Sequence, residues 1–114
     1  MEYKNDFSYD LKVGQAKELE LGRIFEFKKV EVKHDLMAEK TKNVYVEYRS
    51  RGKPSGISTS LADYYCFCFG KTFHLIETVH LKEKCRKYLK TNRDKVGGDN
   101  NSSKGILLPI TELL

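Results

Sequence analysis

A chain of 114 residues is large enough to bury one hydrophobic core, so the sequence predicts a single domain over residues 1–114. Its 21 Lys and Arg outnumber its 16 Asp and Glu, and the formal net charge of +5 favours a polyanionic partner, with nucleic acid the leading candidate. No apolar run approaches the ~20 residues that span a bilayer, "MEYKNDFSYD" lacks the apolar core of a signal peptide, and an odd number of cysteines suits reduced thiols, so we expect a cytoplasmic protein without a membrane partner.

The N-terminal part predicts a polar tail followed by a helix. Residues 1–9 form the tail, and Asp10 leads into "LKVGQAKELEL", whose residues favour a helix that Gly22 can end. On this predicted helix Glu18 lies near Leu11 and Leu21, on a partly apolar side. A carboxylate without a function is unusual in such a place, so Glu18 is a candidate site residue.

The segments "GRIFEF" and "KKVEVKHD" predict two strands. One interpretation joins them by a hairpin at Lys28-Lys29, which would place Glu26 beside Glu31. Two close carboxylates repel each other unless a cation or a proton lies between them. The hairpin would therefore make this pair a candidate cation site.

Residues 30 to 35 alternate between charged and apolar side chains, and side chains repeat with period two along a strand. Glu31, Lys33 and Asp35 therefore share one face, and Val30 and Val32 on the other face can pack on a core. Such a charged row is either a solvated strand face or a site.

The middle of the chain predicts further strands. "NVYVEYR" (43–49) alternates in the same way, and "SRGKPSGISTS" predicts a loop in which Thr59 or Ser60 caps a short helical turn through "LADY". "YYCFCF" is apolar on both faces, which indicates a central strand with Cys66 and Cys68 as small core residues. "TFHLIE" predicts another strand, across a turn at Gly70-Lys71.

The C-terminal part predicts a basic amphipathic helix from Thr78, whose apolar stripe is formed by Leu81, Cys85, Tyr88 and Leu89. Residues 91–105 are polar and predict a flexible loop. "ILLPI" then predicts an edge strand carrying Pro109, and "TELL" a closing turn.

Glu31 and Lys33 have the chemistry that phosphodiester hydrolysis needs. Carboxylates hold a divalent metal ion, and a cation steadies the attacking water or the charge that develops on phosphorus. The pattern of an acid, any residue and a lysine is common, however, and this chain also contains Glu2-Tyr3-Lys4 and Glu26-Phe27-Lys28. The surrounding sequence must therefore decide between a site and a solvated face.

That context resembles a known family. "VEVKHD" followed by "EKTKNVYVEYRSRGKPSGISTSLADYYCF" is similar to the phage and bacterial branch of the PD-(D/E)XK nucleases, and the similarity covers about residues 10–77. The resemblance implies a restriction-endonuclease-like α/β fold, in which a mixed central β-sheet is flanked by helices. It also implies a homodimer in a bacterial or phage-infected cell that cuts DNA phosphodiesters with Mg²⁺ or Mn²⁺.

The resemblance assigns residues one by one. Glu31 and Lys33 match the family's E-x-K, Glu18 matches the glutamate of its first helix, and Asp35 and Glu47 match further acidic positions. The family's usual aspartate before E-x-K is missing from "LELGRIFEFKKV". Asp35, Glu26 or Asp10 is expected to replace it, with Asp35 slightly preferred, so the expected metal ligands are Glu31, Asp35, Glu18 and Glu26.

DNA contacts are expected from two basic regions, the loop with Arg49, Arg51 and Lys53 and the helix with Lys84 and Lys87. The missing aspartate leaves two other hypotheses open. The chain could be a catalytically silent nucleic-acid-binding module of the same fold, or a subunit that needs a partner protein for activity.

Overall fold

The computed structural model describes residues 26–113, which form an α/β fold of seven strands and two α-helices. The predicted polar tail, the predicted helix with Glu18, and most of "GRIFEF" lie outside the described residues. The strands are β1 (Val30–His34), β2 (Asn43–Ser50), β3 (Lys53–Pro54), β4 (Tyr64–Phe69), β5 (Thr72–Glu77), β6 (Asp94–Gly97) and β7 (Ser103–Pro109). The helices are α1 (Ala38–Thr41) and α2 (Thr78–Arg86), and 3₁₀ turns cover Gly56–Ser58, Asp99–Asn101 and Ile110–Leu113. Within this described part, neither helix has the length and apolar character needed to cross a membrane.

The strands form two sheets, with the orders β1-β4-β5 and β3-β2-β7-β6. The first sheet is mixed, because β1 pairs with β4 in parallel and β4 pairs with β5 antiparallel. The second is antiparallel throughout. The coarse α/β class is therefore confirmed, whereas the single central sheet predicted from the sequence is replaced by two smaller sheets in the described residues.

The two faces of β1 are opposite to the prediction. Glu31 lies beside Tyr65 of β4 and Lys33 beside Phe67, in a parallel register. Because directly paired residues point to the same face of a sheet, the two charged side chains share the face of two aromatic rings that are almost fully buried. Val30 and Val32 lie on the other face and are 38% and 53% exposed. The prediction that these valines pack on a core is wrong.

The turn predicted at Lys28-Lys29 lies two residues earlier, and most of the strand predicted before it lies outside the described residues. Glu26 and Phe27 form the turn, in which Phe27 has a φ of 63°. Lys29 is held by the segment before β4, because its N–H donates to Asp63 Oδ2 over 2.8 Å and its carbonyl accepts from the Asp63 N–H. Glu26 is therefore exposed in a turn and is not on a strand beside Glu31.

Residues 91–105, predicted as a flexible loop, contain β6 and the beginning of β7. The reason is non-local: the Tyr48 hydroxyl donates to Asp94 Oδ1 over 2.7 Å, and the Leu107 N–H donates to the Arg93 carbonyl over 2.8 Å. β7 lies between β2 and β6, so the edge-strand prediction for "ILLPI" is wrong as well. Pro109 is tolerated because it is the last residue of the strand.

The core lies between the sheets and α2. Its largest fully buried side chains are Phe67, Leu81, Ile106, Leu108 and Val44. The prediction of α2 from Thr78 is confirmed, with Leu81 and Cys85 buried, although the helix ends at Arg86. The confirmed predictions also include β2, the central position of β4, and β5.

Two local predictions near β4 need correction. The helical turn predicted through "LADY" falls earlier, at Gly56–Ser58, where backbone hydrogen bonds from Ser58 and Thr59 close it. Cys66 and Cys68 are only partly buried, since they share the face of Val32 and His34 rather than that of Phe67.

Candidate functional site

A cleft of about 220 Å³ opens between the two sheets. Lys33 of β1 lines one side and Glu47 of β2 the other, and the backbone turn at Gly56-Ile57 closes one end. Tyr65 and Phe67 of β4 form part of its wall. The cleft therefore brings together two of the residues that the resemblance assigned to catalysis, from strands of different sheets.

Glu31 joins this site through Lys33. The Lys33 Nζ lies 3.3 Å from Glu31 Oε1, and the two side chains are 48% and 46% exposed. A half-exposed ion pair is worth only about 0–1 kcal/mol, because water solvates both charges well when they separate. Lys33 can therefore turn to an anionic ligand in the cleft, and Glu31 to a cation, at low cost.

Glu47 is positioned by the loop that follows β3. The Ser55 hydroxyl donates to Glu47 Oε2 over 3.0 Å. Gly56 follows with a φ of +52°, and a Cβ at this residue would lie 2.2 Å from the Glu47 carbonyl oxygen. Only glycine fits this position, so the "SGI" segment has a structural reason: it packs against the backbone of Glu47 and holds its carboxylate.

Asp35 lies just after β1 and connects the two sheets. Its Oδ1 accepts from the Met37 N–H and its Oδ2 from the Tyr45 N–H of β2, each over 3.1 Å. Both oxygens thus have a structural function before any metal is considered. Its metal role stays a prediction.

The carboxylates at the cleft fit a hard divalent cation in part. Mg²⁺ commonly uses one or two protein carboxylates together with water and substrate phosphates. Glu31 and Glu47 can supply the two, while Glu26 is exposed in its turn and Glu18 lies outside the described residues. Between residues 26 and 113, no group of three potential metal-binding side chains comes together.

The predicted DNA-binding loop follows Glu47 at the end of β2. Arg49, Arg51 and Lys53 are all exposed there. The Arg49 guanidinium donates to the Gly52 carbonyl over 2.9 Å, and Arg51 has a φ of 51°. The tight turn thus displays three cations on one short segment, as the phosphate-binding prediction requires.

The two cations predicted to bind DNA, Lys84 of α2 and Lys87 just after it, both pair with Glu112, and their DNA contact stays a prediction. Lys87 Nζ lies 2.8 Å from Glu112 Oε1 and Lys84 Nζ 4.0 Å from the same oxygen. The hydrogen bonds from Lys87 and Tyr88 hold the pKa of Glu112 below its ordinary value, and the bond to Glu112 raises the pKa of Lys87. Lys84 and Lys87 therefore anchor α2 to the C-terminal turn.

Lys82 and Arg86 are the cations of α2 that reach the site side. Both line a second cavity, of about 290 Å³, whose wall includes Val46 and Ile57. The same two residues also line the cleft, so the two spaces adjoin. Both belong to the basic surface predicted for this helix, and their spacing of four residues, next to Leu81 and Cys85, places them on one side of it.

Comparison of the chain with protein-family models, with curated proteins and with solved structures found no match.

Proposed function

We propose that the protein is a metal-dependent endonuclease that hydrolyses DNA phosphodiester bonds in the cleft between its two sheets. The observation that carries this proposal is the position of Lys33 and Glu47 on opposite sides of one cleft, with Glu31 paired to Lys33. A lysine together with carboxylates is the set of groups that phosphodiester hydrolysis uses, and the cleft and its ion pair supply both kinds of group.

Each side chain has one task in this proposal. Glu31 and Glu47 hold Mg²⁺ or Mn²⁺, which when bound supplies Lewis-acid polarisation of the phosphate. Lys33 leaves its ion pair with Glu31 and steadies either the attacking water or the negative charge on the phosphate oxygens. Ser55 keeps Glu47 oriented by its hydrogen bond of 3.0 Å. Arg49, Arg51 and Lys53 hold neighbouring phosphates of the same strand.

A cleavage assay with purified protein on supercoiled, linear and branched DNA, with and without Mg²⁺, tests the proposal. Glu47→Gln and Lys33→Met should each lower the rate at least about 100-fold, because the lost charge acts in the transition state. Glu83→Gln, an exposed glutamate of α2, is the matched control and should cleave like the parent protein.

A second measurement does not depend on activity. Titration of Mn²⁺ by calorimetry should show binding that Glu31→Gln and Glu47→Gln weaken and that Glu83→Gln leaves unchanged. Equal Mn²⁺ affinity in the parent protein and the three variants would show that the metal does not bind in this cleft.

One observation favours the silent nucleic-acid-binding module instead. Lys33 already neutralises Glu31, and within residues 26–113 no third ligand joins the two carboxylates. In that case DNA would bind with a steep salt dependence and remain uncut with Mg²⁺ or Mn²⁺ on every DNA form. The implied homodimer is a separate proposal, which sedimentation of the protein with and without DNA tests.

A further inference from the structure

The cavity beside α2 has a chemically divided lining. Its deeper wall is apolar, with Val46, Ile57 and Ile106, which are almost fully buried, and the Tyr48 side chain lies beside them. Lys82, Arg86 and Ser58 line it as well. Its volume of about 290 Å³ is near the lower end of small-molecule sites, which begin at roughly 300 Å³.

The described residues give this cavity a positive charge. Among residues 26–113, no Asp or Glu contributes to its lining. Within the described part of the chain, Lys82 and Arg86 have no carboxylate within ion-pair distance, whereas Lys84 of the same helix and Lys87 just after it are both paired with Glu112. The two site-side cations therefore remain available to an external anion. A ligand that joins an aromatic ring to phosphates would fit this cavity, because the ring can pack on the apolar wall while Lys82 and Arg86 bind the phosphates.

The cavity and the cleft are neighbours. Val46 and Ile57 form part of both linings, so the two spaces lie on either side of this shared apolar wall and one strand can reach both. A phosphodiester between Lys33 and Glu47 would then have its adjoining nucleotide at the mouth of the cavity. This geometry deepens the proposed function and rests on it.

We infer that the cavity takes one unpaired base of the strand whose phosphodiester lies in the cleft, and that Lys82 and Arg86 bind the phosphates next to this base. A base that is stacked and paired in a duplex cannot enter a pocket without leaving the stack. The substrate class is therefore DNA with unpaired nucleotides beside the cut, such as single strands, flaps or branch points, in preference to fully paired duplex.

The test measures binding without cleavage, in EDTA. The probe is a single-stranded oligonucleotide that carries 2-aminopurine, compared with the same oligonucleotide lacking that one base and with the paired duplex. The complete single strand should bind about tenfold more tightly than the strand lacking the base, as expected for one stacked base. Its fluorescence should change on binding, because the base leaves water for the apolar wall.

The double variant Lys82→Ala/Arg86→Ala tests the phosphate contacts. The slope of log affinity against log salt should become shallower by about 1.4, at about 0.7 per phosphate contact on a single strand. Lys40→Ala/Lys71→Ala removes the same charge from two exposed positions that do not line the cavity and is the matched control, which should keep the parent slope.

The outcomes separate the two proposals. Equal loss in both double variants, or equal affinity for the complete strand and the strand lacking the base, overturns this inference even if the protein cleaves DNA. Tight, base-dependent binding by a protein that never cleaves supports the inference and rejects the nuclease. Preferred cleavage of fully paired duplex would also overturn the inference while the nuclease stands.

Discussion

The Oδ2 atom of Asp35 accepts a hydrogen bond of 3.1 Å from the backbone N–H of Tyr45, and this bond joins the end of β1 to the strand that carries Glu47. Asp35→Asn would turn one acceptor oxygen into an NH₂ donor facing a backbone N–H. We expect the variant to lose about 1–3 kcal/mol of unfolding free energy, measured by urea denaturation. Mn²⁺ affinity should change little, and abolished metal binding with unchanged stability would instead restore Asp35 as a ligand.

Two glycines allow a matched test of how Glu47 is held. Gly56 and Gly52 both have positive φ, +52° and +77°, but a Cβ would meet the Glu47 backbone only at Gly56. Gly52→Ala should cost about 1–2 kcal/mol through backbone strain alone. Gly56→Ala adds a clash, so we expect a larger loss of stability and a loss of Mn²⁺ affinity at Glu47. Equal effects of the two substitutions on Mn²⁺ affinity would contradict this role of Gly56.

The cluster of Glu112 with Lys87 and Tyr88 predicts a specific acid sensitivity. The hydrogen bond from Lys87, and next that from Tyr88, lower the pKa of Glu112 in the folded protein from its ordinary 4.5. A lowered folded pKa means that the carboxylate stabilises the fold above its unfolded pKa, and that this contribution is lost as pH falls through the folded pKa.

Between about pH 5 and pH 3 the parent protein should therefore lose more stability than Glu112→Gln, which lacks this titration. Thermal unfolding at several pH values measures the difference. At neutral pH, Glu112→Gln itself should be less stable by about 1–3 kcal/mol, since it loses hydrogen bonds made by a charged group. Parallel pH curves for the two proteins would show that Glu112 does not contribute.

The three cysteines should differ in reactivity. Burial, and secondarily the charge of Glu112, raises the pKa of Cys85 to about 12. Cys66 and Cys68 are partly exposed, with their sulfurs 4.0 Å apart. At pH 8 a thiol reagent should modify Cys85 only after unfolding, and Cys68 in the native state. Cys66 should react more slowly than Cys68, because burial raises the pKa of Cys66 and the thiolate is the reactive form. Mass spectrometry of the labelled peptides checks this order, and early labelling of Cys85 would contradict it.

The sequence predicted best the elements whose pattern and partners are local. The alternation in "NVYVEYR" gave β2 with Val44 and Val46 inside, and the spacing of Leu81 and Cys85 gave α2. In β1 the same alternation defined two faces correctly but assigned the wrong one to the core. Which face of β1 meets the core is decided by its pairing with β4, where Glu31 lies beside Tyr65 and Lys33 beside Phe67. The sequence of β1 alone carries no information about this pairing.

The remaining errors have the same cause. β6 depends on hydrogen bonds that join Asp94 to Tyr48, 46 residues away in the chain. The functions of the α2 lysines depend on Glu112, which lies 25 residues after Lys87. In the site itself, the motif identified Lys33 and Glu47 as candidates, whereas their meeting across a cleft follows from the packing of two sheets.

The bond between Asp35 and Tyr45 also bears on the order in which the protein folds. It closes a segment of only ten residues, so the chain loses little entropy when β1 and β2 meet. The pairing of β2 with β7 joins Val46 to Ile106 and must close a far longer loop. Contacts close in the chain generally form faster than distant ones. The relative position of Lys33 and Glu47 can therefore be established early in folding, before the second sheet is complete.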